Sequence, residues 1–453
     1  MLLARIIRPG FAESTETTST DLDVCAEGYA KKSGGRACGT LPGTLSPRIQ
    51  LAWLSLAMFL GMTLWFSATA ANAQIVREFQ LSGSQTAWLT MAVQGGFVIG
   101  TLLSALFNLP DVLSPRRLFN IGCIAGALAN ALLAVAGGAA SIIVLRLVTG
   151  AALAWVYPPG MKIAAGWFAE RRGAALGVLI GALTVGSAFP HLLAALSTAI
   201  PWRVLMLLAS ALAIVGGGIV VALVGDGPYV AAGGAPFEPT AVIRVFNDRR
   251  TRAATLAYLG HMWELYAVWT WIAAFASAGI VASTAGTAPA SARGSLVAFV
   301  TIASGAIGSA AAGLFADRVG KARIATCAMI GSAACCALAG VMFSAPLAVQ
   351  LVFAVIWGVA VVADSAQLSA LVAQYSPRDH VGTALTIQTC VGFLLTMASI
   401  RLLPSVAENI GWQWVFLILA PGPVAGAFAL RPLAEVRGVH EVHEVHGVRK
   451  ARF

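Results

Sequence analysis

Three ionisable side chains lie deep inside long apolar segments, where water is not available to stabilise a charge. His261 and Glu264 are three residues apart, so they share one face of a helix. Asp364 lies in a later apolar segment, close to Gln367. A charge at such a depth is costly and usually has a function or a partner. Glu264, His261 and Asp364 are therefore candidates for carrying a proton; alternatively, they hydrogen-bond one another and hold helices together.

Two basic residues in one apolar segment, Arg146 and Lys162, are candidates for binding an anionic solute. A guanidinium group can form two parallel hydrogen bonds with a carboxylate or phosphate, whereas lysine acts as a point charge. Two alternatives remain open: Arg146 can be structural, and Lys162, near the end of its segment, can extend to the membrane surface. Arg401 is expected to extend outward in that way.

Aromatic and amide side chains complete the candidate solute ligands. Trp65, Tyr157 and Trp269 lie near the middle of their segments, where they either line a cavity or pack between helices. Gln94 and Gln367 are candidates for neutral hydrogen bonding. Further polar residues inside apolar segments are Asn72, His191 and Gln388.

The composition of the chain excludes a soluble enzyme. Hydrophobic residues make up 58% of the 453 residues and charged residues 11%, against about 45–50% and about 25% in soluble domains. The seven cysteines form no C-x-x-C pair and mostly lie in apolar runs, so we interpret them as small hydrophobic residues. Histidines in the repeated Glu-Val-His near the end could bind a metal, but the repeat is typical of a solvated tail. We expect neither a metal nor a cofactor.

Twelve segments are long enough to cross a bilayer, which requires about 20 apolar residues. The predicted spans are 51–75, 85–107, 118–137, 139–166, 173–199, 201–225, 253–281, 291–315, 322–343, 345–375, 381–405 and 411–432. The loop 226–252 divides them into two six-helix bundles, 51–225 and 253–432. The sequence therefore predicts an all-α membrane protein.

The loops between the spans differ sharply in charge. If the N-terminus is cytoplasmic, 23 of the 29 lysines and arginines lie in cytoplasmic segments and three lie in outer loops. Basic residues favour the cytoplasmic side, so we expect both termini there, in the cell (inner) membrane. The same bias accounts for the net charge of +10 without nucleic acid. Residues 1–50 and 433–453 are predicted to be cytoplasmic tails, of which the first is expected to be disordered. We do not expect a cleavable signal peptide in 1–50, because this segment lacks a long apolar core.

The two bundles resemble each other in sequence. Asp111 to Arg117 and Asp317 to Arg323 lie after the second span of each bundle, at a shift of 206 residues. Gly173 and Gly382 open the fifth span of each bundle, at a shift of 209. Two landmarks at nearly the same shift indicate a duplication, and parallel six-helix halves are the design of one class of transporter.

The loop motif resembles the signature of the major facilitator superfamily. The C-terminal half has the full pattern, Gly313, Asp317, Arg318, Gly320, Lys321 and Arg323. The N-terminal half keeps Asp111, Arg116 and Arg117 but has Ser114 in place of the glycine, and Arg146 with Gly150 resembles a motif of the fourth span. The resemblance covers residues 51–432 and implies two pseudo-symmetric bundles that rock about a central site.

The loop residues are accordingly candidates for gating. Gly313 allows two helices to approach closely, and Gly320 allows a tight turn. Asp317 can face a helix N-terminus and a cation when the cytoplasmic ends are together, and would then act as a latch. The alternative is that the basic residues of the loop only fix the topology.

Taken together, the sequence favours a secondary active transporter for a small organic solute, an anion being one candidate. It is expected to be proton-coupled and monomeric. The alternative is a non-transporting membrane sensor or assembly subunit with the same fold. A membrane enzyme is less favoured, because H-E-x-x-H and G-x-S-x-G motifs are absent from the sequence.

Overall fold

The computed structural model describes residues 46–168, 172–196, 200–229, 246–283, 290–377 and 380–434, except for the side chains at 110, 111, 283 and 317. Most of both predicted tails, with the histidines near the end, and much of the loop 226–252 lie outside these residues. Within them, all regular structure is helical. The first helix begins at Pro47, so the predicted boundary of the first tail at residue 50 falls inside it.

The N-terminal half is built from ten described α-helices and a 3-10 helix at Leu133–Val135. The α-helices are α1 Pro47–Met62, α2 Ser67–Ala70, α3 Asn72–Phe79, α4 Gly83–Leu106, α5 Leu109–Val112, α6 Pro115–Leu132, α7 Ala139–Leu153, α8 Tyr157–Trp167, α9 Arg172–Leu196 and α10 Trp202–Leu223. The C-terminal half contains α11 Arg249–Ser283, α12 Ala290–Val319, α13 Lys321–Met342, α14 Leu347–Ala363, α15 Ser365–Tyr375, α16 Val381–Ile410, a 3-10 helix at Trp412–Leu419 and α17 Pro421–Ala434.

In the described residues, eleven helical segments are long and apolar enough to cross a membrane. They coincide with the second to twelfth predicted spans. The first predicted span, 51–75, is broken instead: α1 ends at Met62 after 16 residues, and the helix resumes at Ser67. About 20 residues are needed to cross the bilayer, so α1 alone is too short.

Two further spans are each made of two α-helices, which the sequence analysis did not predict. The fourth span breaks between Leu153 and Tyr157. Pro158 and Pro159 follow this break in the first turn of α8, where a missing N–H costs nothing. The tenth span breaks at Asp364, between α14 and α15.

The two halves repeat the same turn between their second and third spans. Ser114 is the N-cap of α6, and its hydroxyl accepts a hydrogen bond from the backbone N–H of Arg117. Gly320 is the N-cap of α13 and has φ of 98°, which a residue with a side chain rarely adopts. Serine and glycine therefore begin equivalent helices in two different ways.

The halves contact each other at both ends of the bundle. We call the end where α6, α9, α13 and α16 begin the basic end, because its loops carry most of the basic residues. At the basic end, α9 packs antiparallel to α12, and a β-carbon on Gly313 would lie 2.8 Å from the carbonyl oxygen of Gly173. Towards the opposite end, α4 packs against α16, where Gly95 faces Met397.

Candidate functional site

Arg146 is completely buried and hydrogen-bonds the break in the first span. Its Nη1 donates to the carbonyl oxygen of Leu64 at 2.9 Å and to the Ser67 hydroxyl at 3.3 Å. Its Nη2 donates to the carbonyl oxygen of Trp65, and its Nε donates to that of Leu89 at 3.0 Å. A helix end leaves carbonyl groups without partners and favours a cation, so Arg146 stabilises the break.

The break places Trp65 and Phe66 at the interface of the halves, where six aromatic rings meet. We call these rings the central cluster: Trp65, Phe66 and Phe97 from the N-terminal half, and Tyr266, Trp269 and Phe393 from the C-terminal half. Trp65 stacks on Tyr266 with centroids 5.6 Å apart and planes at 26°. Phe97 and Phe393 are 4.5 Å apart. Both halves therefore contribute ring faces to one contact.

Several buried polar atoms around the central cluster lack a hydrogen-bond partner in the described part of the chain. They are Nε1 of Trp65, Nε1 of Trp269, both amide atoms of Gln94 and both ring nitrogens of His191. His191 is 6.3 Å from the ring of Phe66. Leaving such groups unpaired costs free energy, so a bound solute that pairs with them would be stabilised.

Gln94 lies on the α4 face that contacts the first span. Thr90, one turn before it, shares a 2.7 Å hydrogen bond with Thr69, and Phe97, one turn after it, packs 5.2 Å from Trp65. Residues three and four apart lie on one helix face, which places the Gln94 amide beside the rings. Gln388, on α16, also has both amide atoms unpartnered.

Glu264 lies in a second polar group, inside the C-terminal half. Its Oε1 accepts hydrogen bonds from the hydroxyl of Ser332 at 2.5 Å, the indole of Trp357 at 3.0 Å and the thiol of Cys336 at 3.1 Å. The residue is 1% exposed. Helices α11, α13 and α14 thus meet at a carboxyl group that the surrounding side chains hold in one position.

His261 connects α11 to the break in the tenth span. Its Nδ1 is 2.9 Å from Oδ1 of Asp364, an ion-pair distance although the geometry is not that of a linear hydrogen bond. Its Nε2 is 2.9 Å from the hydroxyl of Ser365. Since Glu264 follows His261 by one turn, α11 presents both ionisable groups to neighbouring helices.

The remaining solute candidates are on α8 and α15. Tyr157 and Lys162 are half-buried on α8; Tyr157 is not one of the six rings of the central cluster, but it interacts electrostatically with Tyr266 of that cluster. Gln367 is buried on α15, one turn after Asp364. The structure therefore brings together Trp65, Gln94 and Trp269, and it separates Arg146 from the ring faces by the backbone that it binds.

One basic loop residue in each half connects two helix ends of that half. Arg116 donates to the carbonyl oxygen of Val221 at 2.8 Å and lies 3.8 Å from a carboxylate oxygen of Asp226. Arg323 donates to the carbonyl oxygen of Ala434 at 3.1 Å. Each arginine ties the third span of its half to the region where the sixth span ends.

The structure describes fewer side-chain contacts for the other gating candidates of the loops. Lys321 donates to Oε1 of Gln374 at 3.3 Å and so links α13 to α15. Arg117 contributes its backbone N–H to the Ser114 cap, and Arg318 is exposed. The side chains of the two remaining gating candidates lie outside the described residues: Asp111 and Asp317.

Sequence reasoning missed several members of both groups. Phe97 and Phe393 were not distinguished from the other apolar residues, because nothing in the sequence shows which phenylalanine faces the other half. Ser332 and Trp357 are about 70 and 90 residues from Glu264, so their contact with it depends on the tertiary fold. Phe66 could have been suspected as a further ring of the site, because it directly follows Trp65 in the sequence.

Comparison with known proteins agrees with this architecture. The family model described as Major Facilitator Superfamily matches residues 54–293 and 288–445. Among 314 solved chains that match, the crystal structure of a variant of the nucleoside transporter NupG has a TM-score of 0.66 and 16% sequence identity, covering 85% of this chain and 99% of that one. A search of curated proteins finds no match.

The family match spans most of the chain, and the similar structure shares its fold. The predicted fold of twelve membrane helices in two six-helix bundles is thereby confirmed, as is the prediction of a multi-pass membrane transporter rather than an enzyme. The chain belongs to the Major Facilitator Superfamily.

Proposed function

We propose that this protein is a secondary active transporter that moves a small organic solute by alternating access, with the central cluster as its solute site. The observation that carries the proposal is the set of ring faces from both halves, surrounded by buried polar atoms without partners. Transporters built from two repeats bind their solute near the midplane, between the repeats. Rocking of the halves would expose the rings first to one side and then to the other.

The basic end is proposed to face the cytoplasm, with both termini on that side and the protein in the cell (inner) membrane. The ratio of 23 basic residues to three between the two sets of loops supports this orientation. The six rings of the central cluster and the polar groups of Gln94 and His191 belong to one chain, so we propose that the protein acts as a monomer.

The contacts of Arg146 favour a supporting role over direct binding of an anion. Its guanidinium donates to three backbone carbonyl oxygens and one hydroxyl, which occupy the directions that an anion would need. Arg146 is then a positioning residue that holds Trp65 and Phe66 at the interface.

Proton coupling is proposed to act through Glu264, His261 and Asp364. Glu264 and His261 are on α11, the same helix that carries Tyr266 and Trp269 of the central cluster. A change of charge on either group would alter its attraction to α13 or to the break at Asp364. Because α11 is shared, such a change can alter how the central rings meet.

The similar crystal structure is that of a nucleoside transporter. At 16% identity the likeness concerns the fold, so nucleosides are included among the solutes to test rather than assigned.

Distances between spin labels test the proposed function without knowledge of the solute. In a background free of native cysteines, one pair of labels at Arg172→Cys and Phe315→Cys reports the basic end. A second pair at Gln85→Cys and Glu408→Cys reports the opposite end. Alternating access predicts two populations, in which one distance lengthens as the other shortens, with a ratio that changes with pH. A single pair of distances at every pH would contradict transport and favour a sensor or assembly subunit.

A further inference from the structure

We propose that the solute is an uncharged, planar heteroaromatic ring that carries both hydrogen-bond donors and acceptors. The inference rests on the proposed function, because it takes the central cluster as the solute site. It goes further by assigning the chemical class that this site recognises.

The ring faces of the central cluster favour a planar solute. Trp65 and Phe66 belong to the N-terminal half and present their faces to Tyr266 of the C-terminal half, with planes at 26° and 13°. When the halves separate, these ring faces no longer stack on each other. A flat ring that stacks on both restores the contact, since aromatic pairs prefer offset-stacked or edge-to-face packing. It would also connect the two halves and favour closure around itself.

The unpartnered polar atoms favour a solute with a mixed hydrogen-bonding edge. The amide of Gln94 offers one acceptor and two N–H donors, and a neutral His191 offers one of each. The indole N–H groups of Trp65 and Trp269 are donors only. A glutamine amide can pair with an adjacent donor and acceptor on a heterocycle, as it does with adenine. A hydrocarbon ring would leave all these groups unpaired.

The charges around the central cluster disfavour an ionic solute. Its six rings and the polar groups beside them include no Asp, Glu, Lys or Arg side chain. Arg146, the cation behind the break, already donates to backbone carbonyl groups, and Glu264 accepts from three side chains of its own half. An anion or cation would lose its hydration without gaining a free counter-charge. The positive charge of Arg146 adds a further cost for a cation.

Matched probes test the charge preference directly. Nicotinamide, nicotinate and 1-methylnicotinamide share one ring and are neutral, anionic and cationic at pH 7.5. Uracil and orotate form a second neutral and anionic pair, and sorbitol is a neutral solute that is not planar. The thermal unfolding of the purified protein is measured with each probe, because a ligand that binds the folded state raises the midpoint in a concentration-dependent way. We expect at least one neutral ring to raise it, with quenching of tryptophan fluorescence, and the charged rings and sorbitol to leave it unchanged.

Two variants locate the binding site. Gln94→Leu removes one amide of the proposed site and should weaken binding of the neutral ring about tenfold. Trp65→Leu removes a stacking face and should weaken it by roughly fivefold to a hundredfold. The control is Gln350→Leu, a buried glutamine whose amide nitrogen donates to the carbonyl oxygens of Met342 and Phe343 within the C-terminal half. Midpoints without probe show whether each variant is folded.

Every outcome bears on the inference. Stronger stabilisation by nicotinate, orotate or 1-methylnicotinamide than by the neutral partner would overturn it, as would stabilisation by sorbitol alone. Failure of both neutral rings at millimolar concentration, or equal affinity in Gln94→Leu and wild type, would also overturn it. The spin-label distances are independent of these probes. If the ends alternate while no neutral ring binds, the solute class is wrong and the transport mechanism stands.

Discussion

The hydroxyl of Ser309 donates a 3.1 Å hydrogen bond to the carbonyl oxygen of Gly177, across the boundary between the two halves of the molecule. Here α9 and α12 approach so closely that a β-carbon on Gly177 would lie 2.8 Å from the carbonyl oxygen of Ser309. Small residues allow such an approach between membrane helices. Closure of the basic end therefore depends on the absence of a side chain at residue 177.

Gly177→Val is expected to open the basic end. The added side chain cannot fit without displacing α12, and overpacking of this kind costs about 1–3 kcal/mol. Such a cost applies only to the closed state, so it shifts the population towards the open state by roughly 5- to 150-fold. The distance between labels at Arg172→Cys and Phe315→Cys measures the shift.

The matched control is Gly218→Val on α10, where a β-carbon would have no described atom within 4 Å. The Gly218→Val substitution changes helix propensity by the same amount as Gly177→Val, but it does not affect the contact between α9 and α12. Equal label distances in both variants would show that the α9–α12 contact does not control the opening of this end.

Arg146→Ala is expected to lower the stability of the protein before any solute is added. The substitution removes the hydrogen bonds of Arg146 to the carbonyl oxygens of Leu64 and Leu89. It also leaves the buried carbonyl oxygen of Trp65 without its guanidinium donor, at a cost of roughly 1–3 kcal/mol. Arg146→Lys should recover only part of the loss, because an ammonium group lacks the planar fork that reaches several carbonyls. The midpoint of thermal unfolding in detergent checks both.

Arg401→Ala serves as the control, since Arg401 is exposed on α16. If Arg146→Ala unfolds at the wild-type temperature but no longer binds solute, Arg146 is a ligand of the solute, and the interpretation of Arg146 as an anion site is restored.

The features that the sequence predicted are those determined by local rules. The lengths of the apolar segments gave the twelve spans, and the glycines of the loop motif correctly indicated the turn at Gly320 and the close approach at Gly313. The break between Met62 and Ser67 could not be predicted in this way, because residues 63–66 contain neither glycine nor proline. Its stability depends on Arg146, about 80 residues away in the chain.

In the candidate site, too, local sequence patterns predicted some features, whereas contacts between distant residues could not be predicted. Apolar surroundings identified Glu264, His261 and Asp364 as unusual, since depth in the membrane can be judged from the sequence around each residue. Their partners could not be identified, because hydrogen bonds from Trp357 and Ser332 require the packing of three helices. Arg146 was singled out for the same reason as Glu264, although its partners are backbone atoms that no side-chain pattern reveals.

Glu78 is expected to make the stability of the protein depend on pH outside the membrane spans. Arg203 holds this carboxylate with two hydrogen bonds, of 2.5 and 2.9 Å, and the indole of Trp202 donates a third at 2.7 Å. The hydrogen bonds from Arg203, and then from Trp202, lower the pKa of Glu78 from 4.5 to about 2. The stabilisation is therefore complete above about pH 4.5 and is lost as the pH falls towards 2.

The effect is small, because the ion pair is solvent-exposed and screened by salt. Unfolding midpoints of wild type between pH 3 and 6 should fall more steeply with decreasing pH than those of Glu78→Gln. Glu408→Gln, at an exposed carboxylate on α16, is the control and should follow wild type. Identical slopes in wild type and Glu78→Gln would show that the pair does not contribute.

Glu264→Gln is expected to abolish proton-driven accumulation of solute while leaving exchange of solute across the membrane intact. The glutamine carbonyl can still accept hydrogen bonds from Ser332 and Trp357, so the packing of α11 against α13 and α14 is retained. The side chain can no longer gain or lose a proton. Counterflow and pH-driven uptake in proteoliposomes, measured with the neutral ring that binds best, separate the two activities.

A permanently protonated Glu264 that only joins helices predicts the opposite result, since replacing one neutral hydrogen-bonding group by another leaves both activities unchanged. Loss of accumulation by about tenfold or more, with exchange within about twofold of wild type, corresponds to the loss of a titrating group, because a proton carrier acts only when its charge changes. Glu408→Gln should retain both activities. If accumulation survives in Glu264→Gln but is lost in Asp364→Asn, the proton moves through the pair of His261 and Asp364, whose 2.9 Å contact lies at the break in the tenth span.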